Sequence, residues 1–148
     1  MSESVLSAYS AGVAEVADLL TYSAADLAKV PAAGGWSAGQ VLAHLADAEI
    51  SIALRIRMMF TTADYKFLSW DEDAFADLNP GRNPTASVGA LTSLRRANID
   101  LLAGLPPEML DRTGFRQDGE PITVIDYLQR MNGHTTDHIQ QALTALTN

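Results

Sequence analysis

The chain contains no cysteine. That absence excludes disulfides, thiolate nucleophiles and thiolate metal ligands, so any metal is held by nitrogen and oxygen. Positive charge is also scarce: ten Lys and Arg stand against eighteen Asp and Glu, a formal charge of -8. The basic residues are scattered, with Arg55/Arg57 and Arg95/Arg96 as the close pairs. Nucleic-acid binding needs a positive footprint that displaces counterions, and none is visible here. No apolar run approaches the ~20 residues that cross a bilayer. The opening MSESVLSAYSAG lacks a basic segment and interrupts its apolar residues with serines, so no signal peptide is expected and a cytoplasmic address is the default.

What is present fits one globular domain over residues 1–148: 47% of the residues are hydrophobic and 19% charged. Apolar residues at Val5, Leu6, Tyr9, Val13, Val16 and Leu20 follow the three-to-four spacing of an amphipathic helix. A connector follows, with a helix-like scrap from Ala24 to Val30, then Pro31 and the Gly34-Gly35 pair. Ser37, with Gln40 three positions on, reads as a capping box, and Trp36 facing Val41 as a hydrophobic staple. The helix that starts there runs to about Phe60, with Val41, His44, Leu45, Ala48, Ile52, Arg55 or Ile56, and Met59 on its inner stripe.

An acidic excursion from Thr61 to Pro84 carries Asp71, Glu72, Asp73 and Asp77, and is expected to hold one short helix around Asp73 to Leu78. Its acids read as a solvated surface that Trp70 and Phe75 pack down or turn into a pocket lid. Thr85 is a candidate cap for a third helix through Val88, Leu91, Leu94, Arg95, Ile99 and Leu102, which Gly104 and Pro106-Pro107 stop. Thr123 with Asp126 resembles a second capping box and opens a last helix to about Leu146. One face of that helix carries Val124, Tyr127, Met131, His134, His138, Gln141 or Ala142, and Ala145. With no convincing period-two alternation, the expected fold is an all-α four-helix bundle.

The three histidines, His44, His134 and His138, all fall on predicted inward faces. Such a face covers about a third of a helix, so chance alone would place three there roughly once in twenty-five trials. The His134-x3-His138 spacing sets two imidazoles one turn apart on one face, close enough for a single ion. It is not the zinc-protease pattern, because Thr135 stands where that motif has glutamate. Three imidazoles buried separately would each need a polar partner among Val, Leu, Met and Ala, whereas one metal satisfies all three. The expected metal ligands are therefore His44, His134 and His138.

The segments WSAGQVLAHLADAE and NGHTTDHIQQALTAL resemble the DinB/YfiT-like superfamily of metal-dependent enzymes. The resemblance covers nearly the whole chain. It implies an antiparallel four-helix bundle, often dimeric, in which the positions of His44, His134 and His138 bind a divalent nickel, zinc or iron ion. It also matches Glu49 to an acidic residue after the first histidine and Arg55 to an arginine further along. Characterised members include transferases that use low-molecular-weight thiols, a maleylpyruvate isomerase and the iron-binding part of sulfoxide synthases. The sulfoxide synthases carry His-x3-His-x-Glu, and here Gln140 takes the place of that glutamate.

Three imidazoles leave coordination positions open, the arrangement of a reaction centre rather than a structural staple. The expected activity is that of a metal-dependent enzyme, a small-thiol S-transferase or a hydrolase that activates water, with a small molecule as partner. A non-catalytic metal-containing binding or stress-response bundle is the alternative. Glu49 lies about 140° around the helix from His44, so it reads as a surface or interhelix ion-pair residue. Arg55 returns to the face of His44 and reads as paired with an acidic neighbour, or else as a carboxylate binder. Gln40 and Gln141 lie one turn from ligands, and Asp137 is about 100° off the ligand face, a weak general base.

Overall fold

The structure, a computed structural model, describes residues 2–147. Four long helices dominate: α1 (Ser2–Asp18), α3 (Ala38–Thr61), α5 (Pro84–Ala103) and α6 (Val124–Thr147), with short α2 (Ala24–Ala28) and α4 (Glu72–Asp77) in the connections. The α3 start is capped as its sequence foretold. Ser37 Oγ accepts from the Gln40 N–H at 3.2 Å and Gln40 Oε1 accepts from the Ser37 N–H at 3.0 Å. The α5 start differs from expectation. Asn83, not Thr85, is the cap: its Oδ1 accepts from Thr85 N–H and Ala86 N–H, and Pro84 fills the first helical position, where its missing donor costs nothing.

Two apolar clusters fill the bundle and fix its directions. One joins Val5 of α1 to Ile56 and Met59 of α3, Leu102 of α5 and Val124 of α6. The other joins Val16, Val41, Leu91 and Ala142. The start of α1 thus shares a layer with the start of α6 and with the ends of α3 and α5. Helices α1 and α6 form one parallel pair, α3 and α5 another, and the two pairs run in opposite directions. A helix of 24 residues rises about 36 Å, so the chain needs a long return before α5 can run alongside α3. The excursion after Thr61 is that return.

A small antiparallel hairpin, absent from the sequence reading, pins this excursion. Strands β1 (Thr113–Phe115) and β2 (Pro121–Thr123) are each three residues long, too short for alternation to register. The Phe67 N–H donates to Phe115 O and the Phe115 N–H to Tyr65 O, both at 2.8 Å, so residues 65–67 lie along the hairpin edge. Gly114 permits this approach: a Cβ there would stand 2.9 Å from Met59 Cγ and 3.3 Å from Tyr65 O. Thr123 then caps α6, its Oγ1 accepting from the Asp126 N–H at 3.1 Å, while the Asp126 carboxylate accepts a hydrogen bond from the Thr123 hydroxyl rather than from its N–H. No helix among the described residues is long and apolar enough to cross a membrane.

Between the apolar clusters lies a polar layer. Glu49 is fully buried, and Arg95 is 1% exposed. Glu49 Oε2 accepts from Arg95 Nε at 3.0 Å and Nη2 at 2.8 Å, and its Oε1 accepts from the Tyr9 hydroxyl and from Asn98 Nδ2. Glu49 is an interhelix ion-pair residue, as one branch of the expectation had it, and not a surface one. Helix α3 packs against α5 as well as α6, so a residue turned 140° from His44 still faces protein.

Candidate metal centre

His44 points from α3 toward α6, where His134 and His138 project from successive turns. One nitrogen from each ring lies within 4.8 Å of the others, and no carboxylate joins the cluster among the described residues. His44 Nε2 and His134 Nε2 stand 3.1 Å apart. Two such nitrogens either share one proton or face a common cation, and a cation satisfies all three rings together. His138 Nδ1 meets Gln141 Oε1 at 2.7 Å. Gln141 thereby fixes the tautomer with the proton on Nδ1, which leaves the Nε2 lone pair free to bind. Gln40, the other glutamine one turn from a histidine of the cluster, is taken up by the cap and by Asp77 Oδ1 at 3.4 Å.

Burial holds His44 and His134 neutral. Desolvation first, then the neighbouring imidazoles, lowers His44 from 6.5 to about 3. Desolvation, followed by His138, lowers His134 to about 4. Neutral imidazoles converging on one point are the donor set a borderline divalent ion requires, so the residues fit such an ion. His44 Nδ1 is buried without a partner, so that edge of the ring is held by packing rather than by a hydrogen bond. Trp36 and Trp70 provide that packing, with ring centroids 5.0 Å and 5.8 Å from His44. Trp36 also stacks on His138 at 6.1 Å.

Beside the histidines opens a cavity of about 200 Å³, walled by His134, Arg55, Tyr127, Arg130, Trp70 and Glu72 among others. Trp70 therefore does act as a wall of the site, as the excursion suggested. Arg55 departs from its expected acidic pairing. It donates through Nη1 to the Tyr127 hydroxyl at 3.3 Å and through Nη2 to Leu68 O at 2.9 Å, with its guanidinium 4.7 Å from the Phe67 ring centroid. Burial raises the Tyr127 hydroxyl pKa, so it is a neutral donor and acceptor here. Arg130 carries no sequence motif of its own, but it precedes His134 by one helical turn, the spacing that places both on one face. Asp137 and Gln140 are exposed and line a separate groove that Trp36 also walls.

A family profile described as the DinB superfamily matches residues 10–142. The chain belongs to the DinB superfamily. Its relatives include a Bacillus pumilus protein named as a candidate metal-dependent hydrolase, 26% identical over 72% of this chain and 62% of that protein. Another, of the same description, comes from Oceanobacillus iheyensis, 23% identical over 83% of this chain and 72% of that one. YfiT of Bacillus subtilis, also so named, is 28% identical over 72% and 61%. The match thus spans less than two thirds of the two Bacillus relatives. The solved structure of Bacillus subtilis YfiT superposes with a TM-score of 0.89 at 22% identity, covering 97% of this chain and 85% of that one. That structure is described as a four-helix bundle of unusual topology, and this chain shares its fold.

Proposed function

We propose that this DinB-superfamily chain is a metal-dependent enzyme of the hydrolase kind, with His44, His134 and His138 as the ligands of one divalent ion. The observation that carries the reading is the convergence of three imidazole nitrogens within 4.8 Å, without a carboxylate, beside an open cavity. Bound there, a divalent ion supplies Lewis acidity toward water and a substrate carbonyl. The chain's own residues do the rest. Gln141 presents the correct nitrogen of His138, and the two indoles hold the His44 ring and keep bulk water from its faces. Arg55 and the Tyr127 hydroxyl offer hydrogen bonds to a substrate lying against His134.

Nickel, zinc and iron all suit such imidazole donors. The names of the relatives favour hydrolysis over transfer to a small thiol, and both use the same electrophile-facing cavity. A homodimer, implied by family resemblance, belongs to the same reading; a monomeric mass in analytical ultracentrifugation removes it.

The test is elemental analysis of purified protein with His44→Ala and His138→Ala variants. The wild-type chain is expected to retain near-stoichiometric metal and both variants to lose it. Full retention in both variants overturns the ligand assignment. Metal-loaded protein is then assayed against ester, amide and lactone panels with and without a low-molecular-weight thiol. Turnover that requires the thiol replaces the hydrolase reading with a transferase. Silence across both panels favours a metal-containing binding protein.

A further inference from the structure

We infer that the cavity beside the histidines is built for a monocarboxylate with an apolar tail, the carboxylate on Arg55 and Arg130. The inference deepens the hydrolase reading and rests on it for where the reacting centre lies.

The charge of the cavity is the first ground. In a chain with a formal charge of -8, two arginines wall this one cavity against a single acid, Glu72. Neither arginine forms an ion pair among the described residues. Arg55 is already oriented: two of its donors are spent on Tyr127 and Leu68, and its plane packs over Phe67. A guanidinium carries five N–H donors, so three remain for a ligand. A planar fork held in place by an aromatic face loses little entropy on taking a carboxylate. Two cations against one anion leave one net positive charge, which matches a monoanion and not a phosphate dianion.

The shape is the second ground. A neighbouring groove of about 150 Å³ shares Ser51, Arg55 and Trp70 with the cavity and continues along Ile50, Leu54 and Leu68. Those three side chains are 57%, 51% and 74% exposed. An apolar chain leaving Arg55 along Trp70 covers them. A molecule anchored in this way lies across the groove and the cavity, whose wall includes His134, the one cluster histidine that lines it.

The test is calorimetric titration of the whole protein with hexanoate, acetate and hexanamide as probes, with and without bound metal. Hexanoate is expected to bind more tightly than acetate, by up to roughly fourfold for each added methylene, and hexanamide not to bind. Arg55→Gln should weaken hexanoate by about tenfold or more, and Arg130→Gln, at an exposed position that leaves folding intact, by a smaller factor. Hexanoate should still bind the chelator-treated protein. Equal binding of hexanamide, or unchanged affinity in both arginine variants, overturns the inference. So does tighter binding of inorganic phosphate than of hexanoate, and equal binding of acetate removes the apolar tail. Hexanoate that binds only with metal present, and ignores Arg55→Gln, sits on the ion; the inference then fails while the metal reading stands. Arginine-dependent binding to a chain that never retains metal leaves the inference standing and the metal reading overturned.

Discussion

Each histidine of the cluster is held by a different device. His44 packs against both Trp36 and Trp70, His138 is oriented by Gln141, and His134 faces the cavity. Gln141→Ala should therefore lower metal affinity by about 10–100-fold, as loss of an outer partner does, while circular dichroism stays unchanged. An unaltered affinity in a competition titration would show that Gln141 does not orient the ring. The lowered pKa values of His44, about 3, and His134, about 4, also predict a pH dependence. An unfolded chain protonates both near 6.5, whereas the folded metal-free protein does not. Stability is therefore fully present above pH 6.5 and is lost as pH falls from there toward 4 and then 3. The melting temperature of chelator-treated protein should drop across that window, and less steeply in a His44→Asn/His134→Asn variant. Parallel pH profiles would contradict the burial of neutral imidazoles.

The long helices meet in the polar layer of Tyr9, Glu49, Arg95, Asn98 and Thr135. Arg95 draws it together: it bonds Glu49, reaches Tyr9 O at 3.4 Å and Thr135 Oγ1 at 3.3 Å, and lies 4.5 Å from the Tyr9 ring centroid. Gly12 makes room, since a Cβ there would stand 2.6 Å from Arg95 Nη1. Removing the cation leaves a carboxylate buried at 0% exposure. Arg95→Met should cost about 3–5 kcal/mol in a urea titration, and Arg95→Met with Glu49→Met much less, because the second change removes the stranded charge. Additive costs would mean that the pair does not act as a unit. At this scale the sequence was legible wherever a signal was local. The Ser37–Gln40 box, the Thr123 cap and the inner stripes of all four long helices follow from spacings within one turn or two. The hairpin was not legible, because three-residue strands carry no period, and the cap of α5 was not, because Asn83 and Thr85 are both capping residue types two positions apart.

For the whole molecule, the metal reading ties the site to stability. His44 comes from α3, and His134 and His138 from α6, so an ion joining them links two helices that belong to opposite parallel pairs. An ion that binds the folded chain and not the unfolded one raises stability by RT ln(1 + [L]/Kd), about 2.7 kcal/mol at a hundredfold excess over Kd. Adding zinc or nickel to chelator-treated protein should raise its melting temperature in a concentration-dependent way, and His44→Ala should abolish the rise. An unchanged melting temperature would support a metal-free histidine core.

The sequence by itself determined which segments are helical, that all three histidines lie on inward faces, and that no thiolate could join them. Those properties follow from composition and from a helical period that repeats within a few residues. The tertiary structure alone decided how the helices stand beside one another. Through that arrangement His44, ninety positions before His134, came to share one point with it. Glu49 turned to α1 and α5 instead of to solvent, and Arg55 faced a cavity instead of an acid. Periodicity gives an angle around one helix axis, but what lies at that angle depends on neighbours placed by the long return after α3.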